Sequence, residues 1–226
     1  MSNIYDKVTK FCHRRLLRDS DSMEYLRKRN ISIESISKFE IGLFPQDLEE
    51  LFSSINPIEL RTSGIVFDAS SSRFKKQDLI FPIKNVYGEY IAIAGRTRLS
   101  EEEREKRRIP KYMNSIYTKS QHLFGLNFAK YDILKTGVVY IVEGYFDVIT
   151  PHQKGIHNVV AVCGKYLSAR HIMLLSRYTD KMILLFDNEE EAQVRANKIV
   201  SKRQYDKITL IAKNPFEGTD VKDIDD

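Results

Sequence analysis

Cysteine is the scarcest of the chemically versatile side chains. The 226 residues hold two, Cys12 and Cys163, far apart and without CxxC partners. Such thiols suggest neither a disulfide framework nor a zinc site, so no zinc is expected in this chain and a cytoplasmic location is the default. The five histidines form no HExxH or similar pair, and the adjacent Cys12 and His13 would point apart on a helix. No apolar stretch approaches the roughly 18 residues a membrane span needs, and the polar, helix-like start does not read as a signal peptide. No repeat or low-complexity tract stands out.

What is present reads as a soluble globular chain. Hydrophobic residues make up 42% and charged residues 30%, and the length suits one larger domain or two small ones. A net charge of +5 permits nucleic-acid binding without demanding it. Basic residues dominate the first half, while acids gather at later strand ends and in the tail DVKDIDD. That split suggests a polyanion-binding half and a cation-binding half.

Residues 3–19 and 22–29 read as helices, with Asp21 or Ser22 available as the cap between them. ISIESISKFEIG reads as a short helix stopped by Gly42, and DLEELFSSI as another. GIVFDAS, DLIFPIKN and YIAIAGRT read as strands of a small antiparallel sheet, with NVYGEY turning between the last two. SEEEREKRRIP carries helix-compatible charge pairs and reads as a solvated helix. After Gly137 the texture changes. VVYIV, NVVAVC, MILLF and KITLIA are short apolar runs separated by helix-like segments near 146–154, 168–177 and 189–203. Such runs suit strands buried on both faces, and the alternation implies a parallel sheet. The fold class expected is α/β: an α+β subdomain over residues 1–135, then a Rossmann-like domain with a central parallel sheet over residues 136–226.

In open α/β sheets ligands bind beyond the carboxyl ends of the strands. Glu143 follows the first of these strands, Asp187 and Glu189 the third, and Asp220 and Asp223 the loop after the fourth; Lys165 follows the second. One acid after a strand means little, but acids after three of four are harder to dismiss. Clustered carboxylates repel one another unless a cation neutralises them, and oxygen ligands without a cysteine or histidine cluster point to Mg²⁺ or Mn²⁺. Gly144 gives the backbone clearance beside Glu143. Asp147, one turn further on, is open to three roles: a metal ligand, a supporting acid or a helix-start charge.

VVYIVEGYFDVIT, VVAVCGKYLSARHIMLL and MILLFDNEEEAQVRA resemble the TOPRIM domain. YLRKRNISIESISKFEIG, SRFKKQDLIFPIKNVYGEYIAIAGR, PKYMNS and HLFGLNFAK resemble, in order, the segments that precede TOPRIM in DnaG-type primases of bacteria and phages. The resemblance covers most of residues 22–226. It implies an RNA-polymerase core making RNA primers on single-stranded DNA from nucleoside triphosphates, with Mg²⁺ or Mn²⁺, in a bacterial or phage-infected cell. It implies that Glu143 and Asp187 match family acids, Glu143 as metal ligand or general acid/base, and that Asp220 matches a third acidic position. It implies nucleotide or nucleic-acid contacts for Arg73, Arg96, Lys111, Asn114 and Lys119. Without the family, a solvated surface charge is the bland reading of each basic residue, and a packed core side chain that of Tyr112; His122 reads as structural.

The chain also departs from the pattern. The family's D-G-D-x-A-G is here DNEEEA, so Asn188 replaces glycine and Glu189 replaces aspartate. Lys165 stands where threonine is common, and Lys222 takes the place of a second acid near the tail, with Asp223 as partial compensation. A zinc ribbon and a helicase-binding segment are not found, so an excised core and a small phage-type protein are both consistent. A replicative helicase and a separate zinc-binding module are the further partners implied. Two rivals remain: a TOPRIM nuclease, disfavoured by the basic series from FPI to LFGL, and a non-catalytic DNA- or helicase-binding protein, kept open by DNEEEA.

Overall fold

The computed structural model describes residues 3–164, 166–201 and 207–224. They form two compact units, Met1–Ile83 with Tyr90–Tyr117, and Lys84–Glu89 with Thr118–Asp226.

The first unit opens with α1 (Ile4–Leu16), α2 (Ser20–Lys28) and α3 (Ile33–Lys38). Each starts on a residue whose side-chain oxygen takes a backbone N–H of the first turn: Asn3, Asp19 and Ser32. The α2 cap is thus Asp19, not Asp21 or Ser22; Ser22 is instead the residue whose N–H it receives. Strand β1 (Gly42–Leu43), α4 (Leu48–Phe52), α5 (Pro57–Thr62), β2 (Leu79–Lys84), β3 (Tyr90–Arg96), α6 (Glu101–Arg107) and β4 (Tyr112–Asn114) follow. The sheet runs β1-β2-β3-β4, with β1 antiparallel to β2 and β4 antiparallel to β3. Val8, Cys12, Phe44, Leu51, Phe74 and Ile93 fill its core. Burying one such large side chain fully is worth about 1.5–3 kcal/mol. Helix α6 carries a capping box on Ser100 and Glu103 and buries no residue, as a solvated helix should.

Two expectations fail here for local reasons. GIVFDAS makes one isolated bridge, Val66 to Ser72, rather than a strand. Gly64 sits at φ +69 and the Asp68 carboxylate takes the Ser70 N–H and hydroxyl, so side chain–backbone bonds replace a ladder. Gly42 does not stop α3. The helix ends at Lys38, Glu40 takes the left-handed conformation at φ 51, and the Ile41 N–H returns to the Ile36 carbonyl at 3.0 Å. Gly42 begins β1 instead. A Cβ there would stand 2.6 Å from the Cys12 Cβ, so the glycine is required for β1 to lie against α1.

The second unit comprises a 3₁₀ turn (Lys119–Gln121), α7 (Leu126–Thr136), β5 (Val139–Val142), α8 (Phe146–Gln153), β6 (Val159–Ala161), α9 (Ala169–Leu175), β7 (Lys181–Leu184), α10 (Glu190–Ser201) and β8 (Thr209–Ala212). The four strands form a parallel sheet in the order β6-β5-β7-β8. Ile141, Val160, Met182 and Leu184 are buried with Ile172, Leu175 and Ala196 from the helices, which explains the unbroken apolar runs. From β5 the chain passes to β6 on one side, then crosses to β7 on the other. That reversal makes the β5/β7 boundary a topological switch point, where such sheets bind ligands.

Candidate functional site

Three of the acids singled out in the sequence lie on the two loops that leave neighbouring strands at that switch point. Glu143 leaves the end of β5, and Asp187 and Glu189 follow the neighbouring β7. The Glu143 carboxylate accepts the Asp187 backbone N–H and feels the Glu189 charge. Burial pushes the Glu143 carboxyl above its usual range. Arg195 on α10 opposes that shift, because Nη2 stands 3.1 Å from both Glu143 oxygens and both side chains are under one-fifth exposed. Asp187 is half-buried and Glu189 is exposed. Glu189 pairs with the Lys222 ammonium at 2.6 Å.

Asp147 is buried, and its Oδ2 accepts the Gly144 N–H at 2.7 Å. A Cβ on Gly144 would lie 2.8 Å from that oxygen, so the glycine clears space for Asp147 as well as following Glu143. Asp220 is exposed on the loop after β8, and Asp223 is partly exposed on the same loop. From this loop it is Lys222 that reaches Glu189. Lys165 lies outside the described residues. Lys119 is exposed on the 3₁₀ turn, and its carbonyl accepts the His171 Nε2–H at 2.8 Å. Its charge, with that of Asp147, acts on the Cys163 thiol, which bonds Tyr145 and is pushed up by burial.

The basic candidates of the first unit form a looser set. Arg96 ends β3 opposite Tyr112 on β4. It is 8% exposed, bonds the Tyr25 hydroxyl, and lies 5.8 Å from the Tyr112 ring centre. Lys111 immediately precedes β4 and is exposed, while Asn114 ends that strand, half-buried and opposite Ala94. Arg73 belongs to the loop before β2. Its Nε donates to the Gly64 carbonyl at 2.9 Å, and its guanidinium lies 5.2 Å from the Phe67 ring centre. Arg96, Lys111 and Asn114 thus share the β3–β4 edge, whereas Arg73 is held by its own loop. His122 is neutralised further by burial, which suits a structural role.

Sequence reasoning passed over Arg195 and Arg98 and took Lys222 and Asn188 only as departures from the TOPRIM pattern. Arg195 and Lys222 neutralise the acids. Asn188 ties the loop after β8 to the site: its Nδ2 donates towards the carbonyls of Phe216, Thr219 and Val221 at 3.0, 3.3 and 3.0 Å, and its Oδ1 accepts from Asn214 at 2.7 Å. Arg98 lines an open basic pocket of about 590 Å³ in the first unit with Lys75, Lys76 and Arg107, and is held by Asp78 at 2.6 Å and Ser22 at 3.0 Å. The one available signal was spacing: Glu191 and Arg195 stand one helical turn apart on a predicted helix.

An antiparallel α+β unit followed by a parallel sheet with carboxylates at its switch point defines a two-part α/β core of the Toprim-bearing kind. Residues 11–130 match the family described as the N-terminal domain of the DNA primase catalytic core, and residues 140–226 match Toprim-like domains. The chain belongs to the DnaG-type primase catalytic-core family. It is 32% identical over 200 residues to the DNA primase of Aquifex aeolicus, covering 82% of this chain and 38% of that protein. The E. coli primase catalytic core superposes with a TM-score of 0.80 at 28% identity, over 99% of this chain and 74% of that one. A DnaG primase catalytic domain bound to single-stranded DNA gives 0.79 at 28% identity, over 98% and 72%. The chain spans well under half the length of the curated relatives it matches.

The Toprim-like match implies use of a divalent metal. Among the described residues no three of His, Cys, Asp and Glu stand as a ready-made metal cage. The donor chemistry nonetheless fits a hard ion: Glu143, Asp187 and Glu189 offer only carboxylate oxygens, and two of them already hold cationic side chains.

Proposed function

We propose that this chain is the RNA-polymerase core of a primase, joining ribonucleotides on a single-stranded DNA template during replication. What supports this reading is that Glu143, Asp187 and Glu189 follow the adjacent strands β5 and β7 at the switch point, with the Asp187 N–H and the Glu189 charge acting on Glu143, in a chain of this family. Residues 136–226 are assigned the chemistry and residues 1–135 the template. Glu143, Asp187 and Glu189 would hold Mg²⁺ or Mn²⁺, with Asp220 and Asp223 supplied by the loop that Asn188 anchors and Asp147 supporting Glu143 through Gly144. When bound, such an ion activates an attacking oxygen and offsets charge on a phosphoryl group.

The protein's own residues supply position and charge. Lys119 stands with Asp147 and Cys163 in the second unit, suited to a triphosphate; Lys165 is assigned with it from the sequence. Arg73, Arg96, Lys111 and Asn114 would contact nucleotide or template phosphates, where a fixed guanidinium gives geometry as well as charge. Arg96 is buried, bonds the Tyr25 hydroxyl and lies near the Tyr112 ring. Single-stranded DNA as ligand is supported by the related catalytic domain solved with it. A replicative helicase and a separate zinc-binding module are the expected partners, in a bacterial or phage-infected cytoplasm.

The pairing of Glu143 with Arg195 and of Glu189 with Lys222 favours one second reading, a DNA-binding replication protein that has lost synthesis. Labelled ribonucleotide incorporation on single-stranded templates with Mg²⁺ or Mn²⁺ separates the two. Primer-length RNA supports the primase reading. Metal-dependent strand cutting without synthesis would make the chain a nuclease. Template binding with neither activity, even with helicase added, supports the binding-only reading.

A further inference from the structure

We propose that Arg195 and Lys222 are resident cations of the acidic site, occupying the carboxylates that a divalent metal needs and giving way to it. This rests on the reading above that the β5/β7 edge binds metal. Neither side chain is a bystander on the surface. Arg195 comes from the middle of α10 and places a single nitrogen, Nη2, 3.1 Å from both Glu143 oxygens. Lys222 comes from the loop after β8 and reaches Glu189 at 2.6 Å, and the Lys222 carbonyl accepts the Asn188 N–H at 2.7 Å. Two positive charges therefore sit on two of the three acids that follow β5 and β7.

Each contact is built to be released. The Glu143 pair is not a two-nitrogen fork, and Arg195 Nε is buried without a hydrogen-bond partner among the described residues. The guanidinium is held by charge rather than by a full set of bonds. Glu191, one turn back on α10 and 85% exposed, is already 3.7 Å from Arg195 Nη1. It offers a second seat when Glu143 is taken. Lys222 is 40% exposed and flanked in sequence by Val221 and Asp223, so its ammonium can move into solvent or towards an acid of its own loop. Metal binding exchanges one set of ion pairs for another, with no covalent change. The consequence is a site that stays neutralised and ordered between turnovers, and that needs more metal to fill it than its carboxylates alone would.

The test is Mn²⁺ titration of the full chain, read from the electron paramagnetic resonance signal of free Mn²⁺. Removing a unit charge a few ångströms from a divalent ion, with screening by solvent at this half-open site, should tighten binding at least about tenfold in Arg195→Gln and in Lys222→Gln. Arg195→Lys keeps the charge and should stay within about threefold of the unaltered chain, since fork geometry plays no part. Circular dichroism establishes that each variant is folded. If Arg195→Gln fails to fold, Lys222→Gln decides, because its side chain lies on an open loop. Unchanged or weaker Mn²⁺ binding in both folded glutamine variants overturns the inference while the metal-dependent reading stands. No Mn²⁺ binding by any folded chain overturns both.

Discussion

Asn188 occupies the position where DNEEEA departs from the family's glycine, and replacing it with alanine should free the loop over residues 214–224. Its two Nδ2 protons are shared among the carbonyls of Phe216, Thr219 and Val221, so they count as two bonds rather than three; the Asn214 Nδ2 donating to Oδ1 adds one more. Net contributions of about 0.5–1.5 kcal/mol per bond put the local loss at roughly 1.5–4.5 kcal/mol. The partial exposure of these groups favours the lower half of that range. Because about 1.4 kcal/mol is tenfold in an equilibrium, opening of the loop should rise by about 10- to 100-fold. The Asn188 N–H to the Lys222 carbonyl is a backbone bond and survives, so the loop should loosen without the sheet unfolding. Hydrogen exchange followed by mass spectrometry reads this directly: faster exchange over 214–224, with β5 and β7 unchanged. Unaltered exchange in the loop would refute the anchoring role and return Asn188 to a neutral substitution.

Two further predictions concern stability. Gly42→Ala drives a Cβ into the Cys12 Cβ, the Cys12 backbone carbon and the His13 nitrogen at 2.6, 2.9 and 3.0 Å, and α1 backbone cannot rotate aside as a side chain can. Overpacking of this kind costs about 1–3 kcal/mol, or roughly 2–12 °C in Tm for a chain of this size, readable by calorimetry; an unchanged Tm would show that α1 and β1 do not pack as described. His171 caps α9 with Nδ1 accepting the Ser168 N–H and Nε2–H donating to the Lys119 carbonyl, and burial holds it below its ordinary value of 6.5. The unfolded chain therefore takes up the proton first, so this stabilisation is complete above about pH 6.5 and fades as pH falls below it. His171→Gln keeps a capping side chain without the titration. Its Tm should fall less between pH 7.5 and 5.5 than that of the unaltered chain, and parallel profiles would remove His171 as the cause.

The parallel sheet was legible because burial on both faces leaves unbroken apolar runs; its order β6-β5-β7-β8 was not, since alternation of runs and helices does not say which strands are neighbours. Glu143, Asp187 and Glu189 were legible because a charged residue at the end of such a run has few reasons to be there. What stayed hidden depends on partners distant in sequence. Arg195 looks like any solvated helix charge until α10 is laid beside β5. Lys222 reads as a lost acid, although in the fold it neutralises Glu189. Gly42 looks like a helix stop because glycine serves both turns and close packing, and only the position of Cys12 decides between them. Strand β4 is three residues long and α5 buries a single residue, Leu60, so neither has enough periodicity to stand out.

On the proposed reading, the acids at the β5/β7 switch point perform nucleotidyl transfer while other residues bind the template. The most direct test of that reading measures ribonucleotide incorporation and single-stranded DNA affinity side by side for the unaltered chain, Glu143→Gln and Asp187→Asn. Both variants keep the side chain's size while removing its charge and exchanging one acceptor oxygen for an NH2 donor. The expected result is a loss of synthesis of at least about a hundredfold in each, with template affinity within about threefold. Synthesis retained near the unaltered level in both variants would contradict it.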